Sequence, residues 1–189
     1  MGFKQALVLA PISFLLGVLF ICFTVDHRVL WTALTEEVIA DGVQFYRTFY
    51  NAPPAIQTLL HTMMGAGLLG FIVKLHKWDD SAMLFDGCSL AMYVFALALY
   101  IGVVGSGLRT IALPVTELEA PEVQIESLRV LSAGNVLMIG LLIFILVLQG
   151  GQEFAARSEA AANAKLQAEH AAKQAEKKQP AVVEEKKKR

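Results

Sequence analysis

Four stretches of this chain, at about 6–25, 55–73, 84–108 and 128–148, are apolar and close to twenty residues long. A helix rises about 1.5 Å per residue and the hydrocarbon core of a bilayer is about 30 Å thick, so about 20 such residues cross it. Only helices or closed barrels satisfy their backbone in lipid, and four helical spans are what these lengths allow. The expected fold is all-α, a four-span transmembrane helical bundle over residues 1–149. A polar, partly helical or disordered C-terminal tail follows over 150–189. Most of the residues behind the 56% hydrophobic content lie in the first part.

Charge divides the same way. From Gln149 onward the chain holds 9 of its 16 Lys and Arg and 6 of its 17 Asp and Glu, so the net charge of −1 averages two unlike regions. Lys4 precedes the first apolar run, which ends in Phe23-Thr24-Val25-Asp26 without a small-x-small cleavage pattern. That run therefore reads as a retained anchor rather than a signal peptide. Cys22 and Cys88 both fall within spans and read as buried thiols that pack as small hydrophobes. The sequence has no CxxC, no HExxH and no glycine-rich phosphate loop. No catalytic residue, cofactor, metal site or nucleic-acid partner is expected.

Four spans put both termini on one side. Lys4, the second loop (Lys74, Lys77, with His76) and the tail give 12 basic residues there, against Arg28, Arg47, Arg109 and Arg129 on the other side. Without the distant tail the count is three against four, and the higher basic density of the short second loop decides. The N-terminus, second loop and tail are expected in the cytosol. The first outer loop, 26–54, contains an amphipathic run over 29–50. This predicts a short helix on the membrane surface with Trp31, Phe45, Tyr46, Phe49 and Tyr50 at interface depth.

Within lipid the polar and small residues carry the information, since apolar ones merely match the solvent. Thr58, His61, Thr62, Gly65 and Ala66 share one face of the second span, opposite Leu60, Met63, Met64 and Phe71. His61 lacks a second ligand at metal spacing and reads as a hydrogen-bonding group at a packing face. Asp86, Ser89, Tyr93 and Tyr100 form a stripe on the third span, and Ala98, Gly102 and Ser106 a small-residue ladder on another face. Ser132 and Asn135 add a modest polar face to the fourth. The candidate partner-facing residues are Thr58, His61, Gly65, Ala66, Asp86, Ser89 and Tyr93. On this reading, Asp86→Leu or Tyr93→Ala is expected to harm a client's folding more than the protein's own level.

The tail is rich in Ala, Glu, Lys and Gln and cannot bury a core, so it reads as solvated helix or disorder. Lys186 and Lys187, in the closing Lys186-Lys187-Lys188-Arg189, resemble the dilysine address by which coat proteins return membrane proteins to the endoplasmic reticulum.

Three segments carry a wider likeness: Leu15–Phe20 (LLGVLF), Phe45–Lys77 (FYRTFYNAPPAIQTLLHTMMGAGLLGFIVKLHK) and Leu84–Ile101 (LFDGCSLAMYVFALALYI). They resemble the fungal packaging chaperones for amino-acid permeases, which reside in the endoplasmic-reticulum membrane. The likeness is strongest over 45–101, extends over 1–150 and is only compositional in the tail. It implies a non-enzymatic chaperone with amino-acid permeases as clients, which shields their nascent helices and helps load them into coated vesicles, the tail facing coat components. The acidic third loop has no counterpart in it. Two other classes fit a four-span chain, an endoplasmic-reticulum enzyme of lipid metabolism and a scaffold acting through its tail. The enzyme would need His61 and Asp86 close together.

Overall fold

The computed structural model describes the backbone of residues 3–75, 80–113 and 121–187, with side chains over 5–75, 84–113, 122–170 and at Lys173. All of its regular elements are helical: α1 (Phe3–Trp31), α2 (Glu36–Tyr50), α3 (Pro54–Leu75), α4 (Asp80–Leu99), a π-helical turn (Tyr100–Val104), α5 (Gly105–Ala112) and α6 (Pro121–Lys187). Among the described residues, four helical stretches are long and apolar enough to cross a membrane: Gln5–Trp31, Pro54–Leu75, Leu84–Ala112 and Glu122–His170. His76, Lys77 and residues 114–120 of the third loop lie outside the described residues, as do Lys188 and Arg189.

Two compact units result, Met1–Gln149 and Gly150–Arg189. In the second, the helix is exposed from Ala156 to His170, with an i,i+4 pair between Glu153 and Arg157 (2.8 Å). Lys186 and Lys187 fall in its last helical turn, and their side chains lie outside the described residues.

The first unit is held by seams of regular spacing. Along α1 the buried positions include Val8, Ile12, Leu15, Leu19, Cys22, Asp26 and Val29, alternating steps of four and three. Along α6 they include Leu128, Leu131, Asn135, Met138, Leu142, Ile145 and Gln149, again in steps of three and four. This is the period of helices packed knobs-into-holes. Lipid gives no hydrophobic drive between helices, so such seams hold through close packing and interhelical hydrogen bonds. Each seam includes polar members, and these are the positions that fix register.

Local signals set the corners. Thr35 caps α2, its hydroxyl accepting the Val38 N–H at 3.3 Å, and Glu36 and Glu37 occupy the positive end of the helix. After Tyr50 the chain turns through Asn51, and α3 starts at Pro54, where a missing N–H costs nothing. Gln57 locks this corner by donating to the carbonyls of Tyr50 (2.9 Å) and Ala52 (3.3 Å). Where α1 meets α3, a Cβ on Gly70 would lie 2.9 Å from the Leu7 carbonyl oxygen, so only glycine admits this approach.

Three sequence expectations change here. α1 does not stop at Asp26 but runs to Trp31, and Asp26 is fully buried in the bundle rather than placed in a loop. Tyr46 is likewise buried rather than at the membrane surface. Each makes the other possible, since a carboxylate leaves water only where donors meet it. Cys22 is buried as expected, whereas Cys88 is exposed on the outside of α4, where a small apolar thiol meets lipid without cost.

Candidate functional site

Three sets of polar groups stand out, two inside the bundle and one outside. The first ties α1, α2 and α6. Tyr46 donates its hydroxyl to one Asp26 oxygen, and Asn135 Nδ2 donates to the other at 3.0 Å and to the Tyr46 hydroxyl at 2.9 Å. Burial, then the charge of Asp26, pushes the Tyr46 hydroxyl far above its ordinary range, so it stays protonated and can donate. Ser132 is buried in the same region, its hydroxyl close to the Asp26 carboxylate.

The second set ties α3, α4 and α6. Lys74 Nζ lies 2.7 Å from Asp86 Oδ1 and also donates to the Gln149 side-chain carbonyl. Gln149 Nε2 donates to Asp86 at 3.0 Å and to the Ser89 hydroxyl at 3.1 Å, and Ser89 donates to the Phe85 carbonyl at 2.7 Å. Asp86 and Ser89 are thus buried and partnered within the bundle. Tyr93 is buried one turn on, donating to the Met64 carbonyl across α3 at 3.0 Å, with its hydroxyl against Gly67. These three candidates face inward and stabilise the fold that carries the rest.

The third set faces out. Thr58, His61, Thr62 and Gly65 are exposed on the outer side of α3, and Ala66 is half-buried at its margin. Leu60 and Phe71 on the opposite side are buried, which is why this face turns outward. His61 Nδ1 donates to the Gln57 carbonyl at 2.7 Å. In neutral imidazole that leaves Nε2 as an acceptor, pointed to by the Tyr100 hydroxyl at a long 3.4 Å. The two rings meet edge to face, 5.9 Å between centroids. No hydrogen bond to another described residue satisfies the Thr58 or Thr62 hydroxyl. A four-residue step overshoots one full α-helical turn by about 40°. The wider π turn at Tyr100–Val104 offsets that drift, so Ala96, Tyr100, Val104 and Leu108 all line one cavity. It holds about 50 Å³, is almost wholly apolar, and is walled also by Leu60, Met64 and Leu97. Ala98, Gly102 and Ser106 stay outside.

His61 and Asp86 are not brought together. Asp86 pairs with Lys74, thirteen residues beyond His61 on α3, which is about 20 Å along the helix. No group of three or more His, Cys, Asp or Glu able to hold a metal occurs among the described residues. The groups that sequence reasoning missed are Asp26, Lys74 and Gln149. The first and last sit in register with the apolar seams, a signal present in the sequence.

Four apolar helices with interior polar groups tied together, and with Thr58, His61 and Thr62 exposed on one face of α3, define a multi-pass membrane protein. The chain belongs to the SHR3 chaperone family: the family model described as "ER membrane protein SH3" matches residues 1–188. It is therefore a multi-pass protein of the endoplasmic-reticulum membrane in a chaperone family. No curated protein and no solved structure shows significant similarity to it.

Proposed function

We propose that this chaperone assists the folding of amino-acid permeases and their packaging into coated transport vesicles. The observation that carries this reading is the outward polar face of α3, where the Thr58 and Thr62 hydroxyls have no hydrogen bond to another described residue and His61 lies exposed beside them. Polar groups in a bilayer are costly and mostly turn inward. A face that turns them outward gains when a second helix covers it. Nascent permease helices carry polar substrate-binding residues that lack their own partners until the transporter folds, so they are matched covers. Gly65 and half-buried Ala66 let a client backbone come close. The N-terminus and tail are assigned to the cytosol by the basic residues of the short second loop. There the tail meets vesicle coat components, and Lys186 and Lys187 serve retrieval.

Deletion of the chaperone is expected to leave amino-acid permeases aggregated in the endoplasmic reticulum, while single-span and soluble cargo leave normally. A version truncated after Gln149 should keep permeases soluble in mild detergent yet slow their exit. The measurements are permease oligomeric state on native gels and surface uptake. Monodisperse permeases at the surface after deletion would defeat the reading.

A further inference from the structure

Gly107 lets α5 close on α6: a Cβ there would lie 3.1 Å from Leu131 Cβ and 3.5 Å from the Ser127 carbonyl oxygen. Beside this contact the two helices leave an open cleft of about 240 Å³. Its lining passes from Val103, Ser106 and Val130 to Thr110, Glu126 and Ser127, with Val123 at the rim. Ser106 lies twenty residues after Asp86, and Glu126 twenty-three before Gln149, about 30 and 35 Å along their helices. The cleft is therefore one bilayer thickness from the Asp86–Gln149 contact, at headgroup depth in the far leaflet. Its polar groups are mostly acceptors. Ser106 donates to the Gly102 carbonyl at 2.6 Å and Thr110 to the Ser106 carbonyl at 3.1 Å, which leaves only their lone pairs to the cleft. Glu126 is exposed and adds a carboxylate, and the Ser127 hydroxyl can turn either way. Arg109 and Arg129 stand three residues on from Ser106 and Glu126, and both are exposed. None of these three charged groups makes an ion pair among the described residues. We propose that the cleft binds one phospholipid whose headgroup ends in a primary ammonium, the ethanolamine type. The ammonium donates to Glu126 and the hydroxyl oxygens, Arg109 and Arg129 take the phosphate, and the first methylenes of the tails lie on Val103 and Val130.

Charge and hydrogen bonding choose this occupant. A choline headgroup carries the same charge but no N–H, so it leaves the hydroxyl acceptors unused. A serine headgroup adds a carboxylate, which Glu126 repels. A lysine from a partner protein brings an ammonium without an anion, and Arg109 and Arg129 would then face a third cation. An ethanolamine phospholipid carries phosphate and ammonium a few bonds apart, and the cleft sets guanidinium groups, which suit phosphate, beside a carboxylate. Place agrees with chemistry. Ser106 and Val130 are exposed on the outside of their helices, where lipid lies. The cleft shares no residue with the outward face of α3, so this proposal stands apart from the chaperone reading.

The test uses the full chain in mild detergent with dioleoyl phosphatidylethanolamine and dioleoyl phosphatidylcholine in equal amounts, and native mass spectrometry reads which lipid stays bound. The ethanolamine lipid should be kept about tenfold over the choline lipid, the weight of one hydrogen bond to a charged group. Glu126→Gln keeps size and an acceptor but loses the charge, and should bring that ratio close to one. Ser106→Leu fills the cleft from an exposed position and should cut retention of the ethanolamine lipid about tenfold. Val130→Phe fills it from the other wall should the first variant disturb the fold. All three positions are exposed, so melting temperatures measured without added lipid should match the wild type. In microsomes, a photo-reactive residue at Val130 should become attached to phospholipid. Equal retention of the two lipids by the wild type overturns the proposal, as does a preference that survives Glu126→Gln or the filled variants. A Val130 crosslink that goes to a protein instead also overturns it, and makes the cleft a docking site for a protein.

Discussion

Replacing Lys74 by Met should destabilise this protein more than replacing Asp86 by Leu, and replacing both should do less harm than either. The pair is held at 2.7 Å with side chains 13% and 1% exposed. Removing one partner of a buried pair costs about 3–5 kcal/mol because the other charge is left in a poor solvent. Exposure decides where in that range each variant falls. Lys74 stands in the last turn of α3 on a long flexible stem, so without Asp86 its ammonium can reach the interface, and Asp86→Leu belongs near 3 kcal/mol. Asp86 has a short side chain and no such exit, and the amide of Gln149 is a weak substitute for a cation, so Lys74→Met belongs near 5 kcal/mol. A gap of about 2 kcal/mol is about thirtyfold in the folded-to-unfolded ratio. The double variant exchanges two charges for two apolar side chains, a change that is often neutral.

Thermal unfolding in mild detergent, followed by the monodisperse fraction, measures all four proteins. Client handling should fall only in step with the folded fraction, because Asp86 is inside the bundle and offers no surface. This reverses the expectation formed from sequence, in which Asp86→Leu harms the client first. Wild-type stability in both single variants, or a double variant as weak as the sum of the singles, would refute the argument.

The glycines of α3 give a second test. Gly67→Ala should lose about 1–3 kcal/mol by overpacking, since its Cβ would fall 2.8 Å from Tyr93 Cζ, whereas Gly65→Ala meets nothing within 4 Å and should leave the melting temperature unchanged. Tyr46→Phe removes a donor from a buried carboxylate and should cost about 1.5–3 kcal/mol, read in the same assay. Protease added to intact microsomes should remove the tail beyond Gln149, and a tail protected until detergent is added would invert the topology. Lys186→Ser with Lys187→Ser should let folded protein escape to later compartments, and unchanged residence would assign those lysines to mere tail charge.

The spans were legible in the sequence because length and apolarity alone define them. The faces were harder for a physical reason. In water a polar stripe points out, and its direction follows from its chemistry. In lipid the same stripe points inward if its members bond one another, and outward if a partner is meant to cover it. The stripes Thr58–His61–Thr62 and Asp86–Ser89–Tyr93 look alike in sequence, yet one is exposed and the other buried. What separates them is Lys74 and Gln149, which lie 12 residues before and 63 after Asp86 and meet it only in three dimensions. Asp26 was legible in principle, since it continues the step pattern of Leu15, Leu19 and Cys22. A charged residue at the end of an apolar run reads as a stop unless its donors are known, and those donors come from α2 and α6.

α6 joins the two interior clusters, Asn135 in one and Gln149 in the other, fourteen residues or about 21 Å apart. Both occupy the same position of a seven-residue repeat, where a polar side chain trades some stability for a fixed register. With α6 pinned at two heights against α1, α2, α3 and α4, the bundle can leave the outer face of α3 uncovered without its own helices sliding over to satisfy it. The strength of each outward contact then matters. Hydrogen bonds between membrane helices average about 0.6 kcal/mol, so two or three of them hold a client for a moment rather than for good. A holder of that strength loses to the client's own helices as soon as they arrive, because a completed fold offers many such contacts together. Weak exposed contacts on a strongly tied bundle are thus the arrangement that releases clients without an energy source, and tightening the outer face should trap them. A variant with an added donor, such as Leu69→Asn beside Gly65 and Thr62, is expected to prolong permease crosslinking and delay export rather than improve it.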